Sequence, residues 1–186
     1  MPPSNLPNWL RELIYDVAAK EWPGYYGLYL EAQVLVESEG RVDARSGAGA
    51  IGLMQLMPAT AAGLGYSAAD LLLPRKNLAA GVQYLKQQWD HFPEVSRSDR
   101  LSFSLAAYNC GRGWVNKAIK LARTDCGAAS SRDAGNWQRW DVAGPYLEHP
   151  DCRKAWGQNP DGRQAMLYVA RFWAVFDRLN RPGGGR

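Results

Sequence analysis

Apolar positions along this chain recur mostly at intervals of three and four, the spacing that gathers side chains on one face of an α-helix. Trp9, Leu10, Leu13, Ile14 and Val17 obey that rule, so residues 8–20 are predicted to form an amphipathic helix. Pro23 and Gly24 break it. A second helix is expected from 25 to 38, carrying Val34, Leu35 and Val36 near its end, with Gly40 as its stop. Gly-rich chain then runs to Gly52, and Pro58 opens a short helix that Gly63 or Gly65 closes. Asn77 is placed to cap the next helix, whose stripe is Leu78, Val82, Leu85 and Trp89. Residues 99–108 and 112–123 give two more, parted by Gly111. Residues 124–160 are rich in Gly, Asp, Asn, Ser and Pro and are expected to be irregular. The last helix spans 162–180 and ends before Pro182. Two-residue alternation is weak throughout, so the expected class is all-α, as one domain over residues 1–186.

Composition fits that picture. A chain of 186 residues with 46% hydrophobic and 22% charged residues is an ordinary globular domain. The uncharged stretch 46–69 is interrupted by five Gly and one Pro, so it is not a membrane span. The N-terminus lacks a basic start leading into an apolar run, so no Sec signal peptide is expected. The net charge is +4, which points to an anionic partner. Its excess lies in Arg163, Arg171, Arg178, Arg181 and Arg186 against one acid, Asp177. Lys117, Lys120 and Arg123 also recur on one helix face. Charge alone does not make a nucleic-acid binder, and neither a helix-turn-helix nor a zinc motif is present. Three cysteines and two histidines give no metal-ligand spacing, so no metal or other cofactor is expected. Cys126 and Cys152 share the irregular region and are candidates for a disulfide worth about 3 kcal/mol, with Cys110 reduced.

Cutting a glycosidic bond needs an acid beside the bridging oxygen. Glu37 is the candidate, because it ends a helix directly after three apolar residues and precedes a Gly-rich loop. Partial desolvation there would keep a carboxyl protonated near neutrality. Glu39, two residues on, points to another side of a helix and is not a dyad partner.

The motifs spaced downstream of Glu37 are more specific. The chain reads Glu37-Ser38, then Ser46-Gly47-Ala48-Gly49-Ala50, then Gly52-Leu53-Met54-Gln55-Leu56-Met57-Pro58. Further on come Ala106-Ala107-Tyr108-Asn109-Cys110-Gly111-Arg112-Gly113 and, later, Tyr168-Val169. In this order the motifs resemble the lytic transglycosylases of the lysozyme superfamily, over about residues 25–123 and 162–178. Cys110 and Glu39-Gly40 depart from the pattern, and residues 124–160, with Trp137, Trp140 and Trp156, match none of it.

The resemblance implies a lysozyme-like helical domain with a cleft around the helix of Glu37. It implies cleavage of peptidoglycan between N-acetylmuramic acid and N-acetylglucosamine without water, one Glu serving as acid and then base. Carried over residue by residue, Ser38 would support Glu37, and Ser46 would bond the sugar or its acetamido group. Gln55 would be a cleft amide and Met57 an apolar wall. Tyr108 and Asn109 would bind near the acetamido groups, and Tyr168 would bring a phenol near Glu37. Leu53 and Met54 are expected in the core, and the insertion Trp residues in satellite packing. The rival enzyme is a hydrolytic muramidase, which needs a second carboxylate about 6.5–9.5 Å across the cleft; Asp43 is nearest in sequence. A rival of another kind is a wall-binding or virion structural module with a dead site. The expected setting is a monomeric phage or prophage endolysin, made in the host cytoplasm and acting in the periplasm; the alternatives are a virion-associated protein and a bacterial periplasmic enzyme without its leader. The Arg-rich last helix is a candidate contact for anionic lipopolysaccharide.

Overall fold

The computed structural model describes residues 4–96, 98–126, 136–154 and 162–181. Among them every extended element is a helix. The exceptions are two isolated antiparallel bridges, Arg45 with Ile51 and Ile51 with Leu56, inside the Gly-rich loop. The helices are α1 (Asn8–Glu21), α2 (Gly27–Ser38), α3 (Pro58–Gly63), α4 (Pro74–Asp90), α5 (Arg100–Cys110), α6 (Arg112–Cys126), α7 (Trp140–Ala143), α8 (Pro150–Lys154) and α9 (Gly162–Asn180). Short 3-10 turns lie at Asp70–Leu72 and Gly144–Glu148. The all-α expectation holds, and the longer helices stand within a few residues of their predicted places.

Two compact units divide the chain: Met1–Tyr84 with Arg171–Arg186, and Leu85–Ala170. In the first, α1 packs on α2 and buries Leu10, Ile14 and Val17 of the predicted stripe together with Ala18, whereas Leu13 is half-buried and Trp9, also predicted, is exposed. The predicted face of α9 is buried there at Phe172, and Phe176 stacks on Tyr29 with ring centroids 4.6 Å apart. In the second, α5, α7, α8 and the 144–148 turn gather around α6. Ala165, Tyr168 and Val169 of α9 are buried.

Several expectations are corrected. Gly40 does not itself stop α2. Glu39 does, taking a left-handed conformation (φ 56°) while its N–H bonds Leu35 O at 3.2 Å. Gly40 comes next at φ 80°, where a Cβ would stand 2.2 Å from Leu6 Cδ2. Asn77 does not cap α4, which begins three residues earlier at Pro74; its side chain is used elsewhere. Residues 124–160 are not uniformly irregular, because α6 continues to Cys126 and α7, the 3-10 turn and α8 lie beyond it. Trp140 sets its ring edge-to-face on Phe103 at 5.2 Å, and the Arg123 guanidinium lies 3.8 Å over Trp137. Both are packing roles, as expected for the insertion; Trp156 lies outside the described residues. The expected disulfide between Cys126 and Cys152 is corrected at Cys152; the side chain of Cys126 lies outside the described residues. Cys152 is a free, buried thiol, its Sγ 3.9 Å from the carbonyl of Trp114. Cys110 is free, as expected.

Candidate active site

Glu37 occupies the last turn of α2 and is half-buried. Ser38 is 1% exposed, and its hydroxyl is engaged by backbone carbonyls. It lies 3.2 Å from Val34 O in its own helix and 2.9 Å from Leu53 O in the loop beyond. The residue beside Glu37 is thereby fastened to the segment that carries Gln55.

That segment is a tight, hydrogen-bonded loop. Ser46 and Ala50 bond reciprocally: Ser46 N–H donates to Ala50 O, and Ala50 N–H donates to Ser46 Oγ, both at 3.0 Å. Ser46 is exposed, so its hydroxyl hydrogen can reach a ligand while its oxygen closes the turn. Gln55 holds φ 45°, a region non-glycine residues rarely adopt. Its amide Nε2 donates to Gly52 O at 2.9 Å and to Ala44 O at 3.2 Å. Both amide hydrogens brace the loop, and among the described residues Oε1 receives no donor. Gln55 can therefore meet a ligand only as an acceptor. Met57, just before α3, is 41% exposed and offers the expected apolar surface. Leu53 and Met54 are fully buried, as expected of core residues.

Asn77 is the residue whose role sequence reasoning mistook. It is 1% exposed, and its side chain makes three hydrogen bonds to backbone. Oδ1 accepts from Met54 N–H at 2.8 Å, and Nδ2 donates to Ile51 O and Leu71 O, both at 2.9 Å. Gly52 passes directly over it: at φ 78°, a Cβ there would stand 2.3 Å from Asn77 Nδ2. Asn77 lies 23 residues beyond Met54, and only its polarity within an apolar stripe could have marked it.

Glu37, Ser38, Ser46, Gln55 and Met57 thus belong to the first unit, with Ser38 and Gln55 tied into one bonded loop. Tyr108, Asn109 and Tyr168 belong to the second. Tyr108 is buried near the end of α5, and Asn109 beside it is exposed. Gly111 ends that helix at φ 92°, its N–H bonded to Ala107 O. Burial pushes the Cys110 thiol up to about 12, with the nearby Cys152 adding to the shift, so it is held as an inert thiol. Tyr168 is buried on α9. Neither rival carboxylate is sheltered. Glu39 is exposed and pairs with Arg41 at 3.2 Å, and Asp43 is exposed.

The fold and the sequence are similar to those of known proteins. The chain superposes with a TM-score of 0.60 and 26% identity on an inactive glutamate-to-glutamine mutant of lytic transglycosylase Slt from Pseudomonas aeruginosa, covering 92% of this chain and 24% of that one. The soluble lytic transglycosylase of Escherichia coli shares the fold at a TM-score of 0.59 and 21% identity, over 88% of this chain and 24% of that one. The transglycosylase SLT domain description matches residues 28–129, more than half of the chain, and the chain belongs to that family.

Relatives include membrane-bound lytic murein transglycosylase F 2 of Alkalilimnicola ehrlichii, 32% identical over 90% of this chain. Another is membrane-bound lytic murein transglycosylase F of Maricaulis maris, 34% identical over 90%. The chain spans 36% and 35% of those two relatives' lengths, about a third. Among the described residues no helix is long and apolar enough to cross a membrane.

Proposed function

We propose that this chain cleaves the glycan strand of peptidoglycan as a lytic transglycosylase, with Glu37 as its acid and its base. The observation that carries the reading is the setting of Glu37. It is half-buried at the end of α2 and adjoins a residue bolted to the Gln55 loop, while Glu39 and Asp43 are exposed. Of Glu37, Glu39 and Asp43 only the first is sheltered, which suits a reaction that needs no second carboxyl.

The protonated Glu37 gives its proton to the oxygen bridging N-acetylmuramic acid and N-acetylglucosamine, and the bond from that oxygen to the anomeric carbon breaks. The substrate's acetamido oxygen stabilises the anomeric carbon. Glu37, now a carboxylate, takes the proton of the muramic C6 hydroxyl, whose oxygen closes on the anomeric carbon. The product is a 1,6-anhydro ring, the acid is restored and no water is consumed. In this reading Gln55 accepts from a sugar N–H or O–H, Ser46 donates, and Met57 lies against a ring face. Tyr108, Asn109 and Tyr168 are proposed as further glycan-binding residues.

The two named relatives are bacterial and membrane-bound. The endolysin setting has no support from them, and the proposal is confined to the envelope glycan. The exposed Arg171, Arg178 and Arg181 are proposed to hold the enzyme on anionic envelope surface.

The test is mass spectrometry of fragments released from purified sacculi. Anhydro-ended fragments, one water lighter than hydrolysed ones, are expected. The Glu37→Gln variant should lose about 10²–10⁴-fold in rate with its fold intact. Hydrolysed ends, or a fully active variant, would overturn the reading.

A further inference from the structure

Outside this site, α1 presents a polar stripe of a different kind. Asn8, Arg11, Glu12 and Tyr15 stand at i, i+3, i+4 and i+7, on one face over about 10 Å, and line a groove of about 340 Å³. That volume is at the small end of the range for ligand sites. Beneath them lies Glu31 of α2, 1% exposed. Glu31 is six residues before Glu37, about 240° around the helix, so the groove is on a different face of α2 from Glu37.

The groove is built on buried charge. Arg11 Nε sits 3.3 Å from Glu31 Oε1, and the Tyr15 hydroxyl faces the same carboxylate. Burial and then the Glu31 charge push that phenol up to about 12, so it stays protonated beside the carboxylate. Gly27 lets the Tyr15 ring lie flat on the start of α2, where a Cβ would come within 2.8 Å of it. The Arg11–Glu31 ion pair is made at Nε, which leaves the two Nη groups to the groove. Among the described residues those Nη groups have no hydrogen-bond or ion-pair partner, and neither have the side chains of Glu12 and Asn8.

A fixed guanidinium fork, a free carboxylate, an amide and an aromatic wall within one groove recognise a specific charge pattern. A bare carboxylate would be repelled by Glu12, and a bare amine would leave the fork unused. A zwitterion satisfies both. We propose that this groove is a second ligand site, taking the ammonium and carboxylate borne on one carbon of an amino acid. Arg11 grips the carboxylate, Glu12 and Asn8 the ammonium, and Tyr15 packs along the side chain. In the substrate proposed above, the free end of a diamino dicarboxylic acid in a wall peptide carries that pair. Only this choice of source rests on the proposed function; the groove's chemistry does not.

The test is calorimetric titration of the chain with diaminopimelate, with its amine-acetylated form and with its carboxyl-amidated form. The parent compound should bind, and each capped form should bind at least about tenfold more weakly. Glu12→Gln, at the exposed rim, should weaken the parent about tenfold. Arg11→Lys keeps the charge over Glu31 but removes the fork, and should do the same with an unchanged melting temperature. Glu37→Gln should bind like the unmodified chain.

Equal binding of the capped forms, unaltered binding by both groove variants, or no heat from the parent at about 10 mM would overturn the proposal. A muropeptide with an uncrosslinked diamino acid assigns the source. Tighter binding than the free compound indicates the wall, weaker binding the free amino acid, and either outcome supports a zwitterion site. Failure to cut sacculi, read separately, would sink the proposed function and leave this result standing.

Discussion

Ser38 and Leu53 stand fifteen residues apart in sequence, and the hydroxyl of the first bonds the backbone carbonyl of the second at 2.9 Å. Through this contact the C-terminal turn of α2 and the Gln55 loop hold a single spacing. Ser38→Ala leaves the buried Leu53 carbonyl without that donor, which costs about 1–3 kcal/mol. The urea midpoint should fall accordingly, and the glycan-cleaving rate should fall more in kcat than in KM. A midpoint equal to that of the unmodified chain would show that the bond contributes nothing.

Asn77→Ala removes three hydrogen bonds at once and empties a buried position. The expected loss is about 3 kcal/mol or more, read by chemical denaturation. Asn77→Asp should not restore it, because it keeps the acceptor for Met54 N–H but loses both donors and buries a charge.

Gly49 and Gly52 separate strain from collision. Both hold positive φ, 93° and 78°, but a Cβ on Gly49 meets open space, whereas one on Gly52 meets Asn77 and Leu71 O. Gly49→Ala should cost about 1 kcal/mol of backbone strain. Gly52→Ala should cost distinctly more, since Asn77 must move as well. Equal melting temperatures for the two variants would contradict this packing.

The thiols give a pH-dependent signature. Unfolded cysteine titrates near about 8.5, whereas burial raises Cys110 to about 12. The stability linked to this proton is fully present below the unfolded value. It is lost as pH rises from there toward about 12, because only the unfolded chain releases the proton. Tyr15, also raised to about 12, adds a loss above pH of about 10. Unfolding midpoints should therefore drop on the alkaline side, and less so in Cys110→Ala. In denaturant without reductant three thiols should react, since Cys152 is free; a count of one would restore the disulfide.

Arg171, Arg178 and Arg181 are exposed on or just past α9, and among the described residues none has an ion-pair partner. Arg186, the last of the five C-terminal arginines, lies outside the described residues. Changing the three to Gln should weaken sedimentation with Gram-negative envelopes at low salt, where screening is least, and leave cleavage of soluble glycan fragments intact. Unchanged sedimentation at low salt would reduce this face to a solvated surface.

The helices were legible because each buries one stripe, and a stripe is a local pattern: Leu10, Ile14 and Val17 declare α1 without help from the rest of the chain. The loop chemistry was legible as a motif, in Gly52 through Gln55, but its wiring was not. Ser38 reads as a neighbour of Glu37, yet its partner is a carbonyl fifteen residues away. Asn77 reads as a cap because Asn usually is one, and only the folded chain shows the three backbone groups converging on it. Glu39 took the left-handed turn that Gly40 was expected to take, a choice between adjacent residues that propensity alone does not resolve. The short helices of the insertion contain too few residues to show any period.

Gln55 has a thermodynamic consequence that its geometry makes visible. A glutamine side chain fixed from free rotation surrenders up to about 2 kcal/mol of conformational entropy. Here that ordering occurs when the protein folds, because the amide group is already clamped to Ala44 and Gly52. A ligand arriving at Oε1 meets an oxygen whose position is settled, so its affinity is not reduced by freezing that side chain. Substituting a glutamate would undo both clamps and transfer the entropic cost from folding to binding.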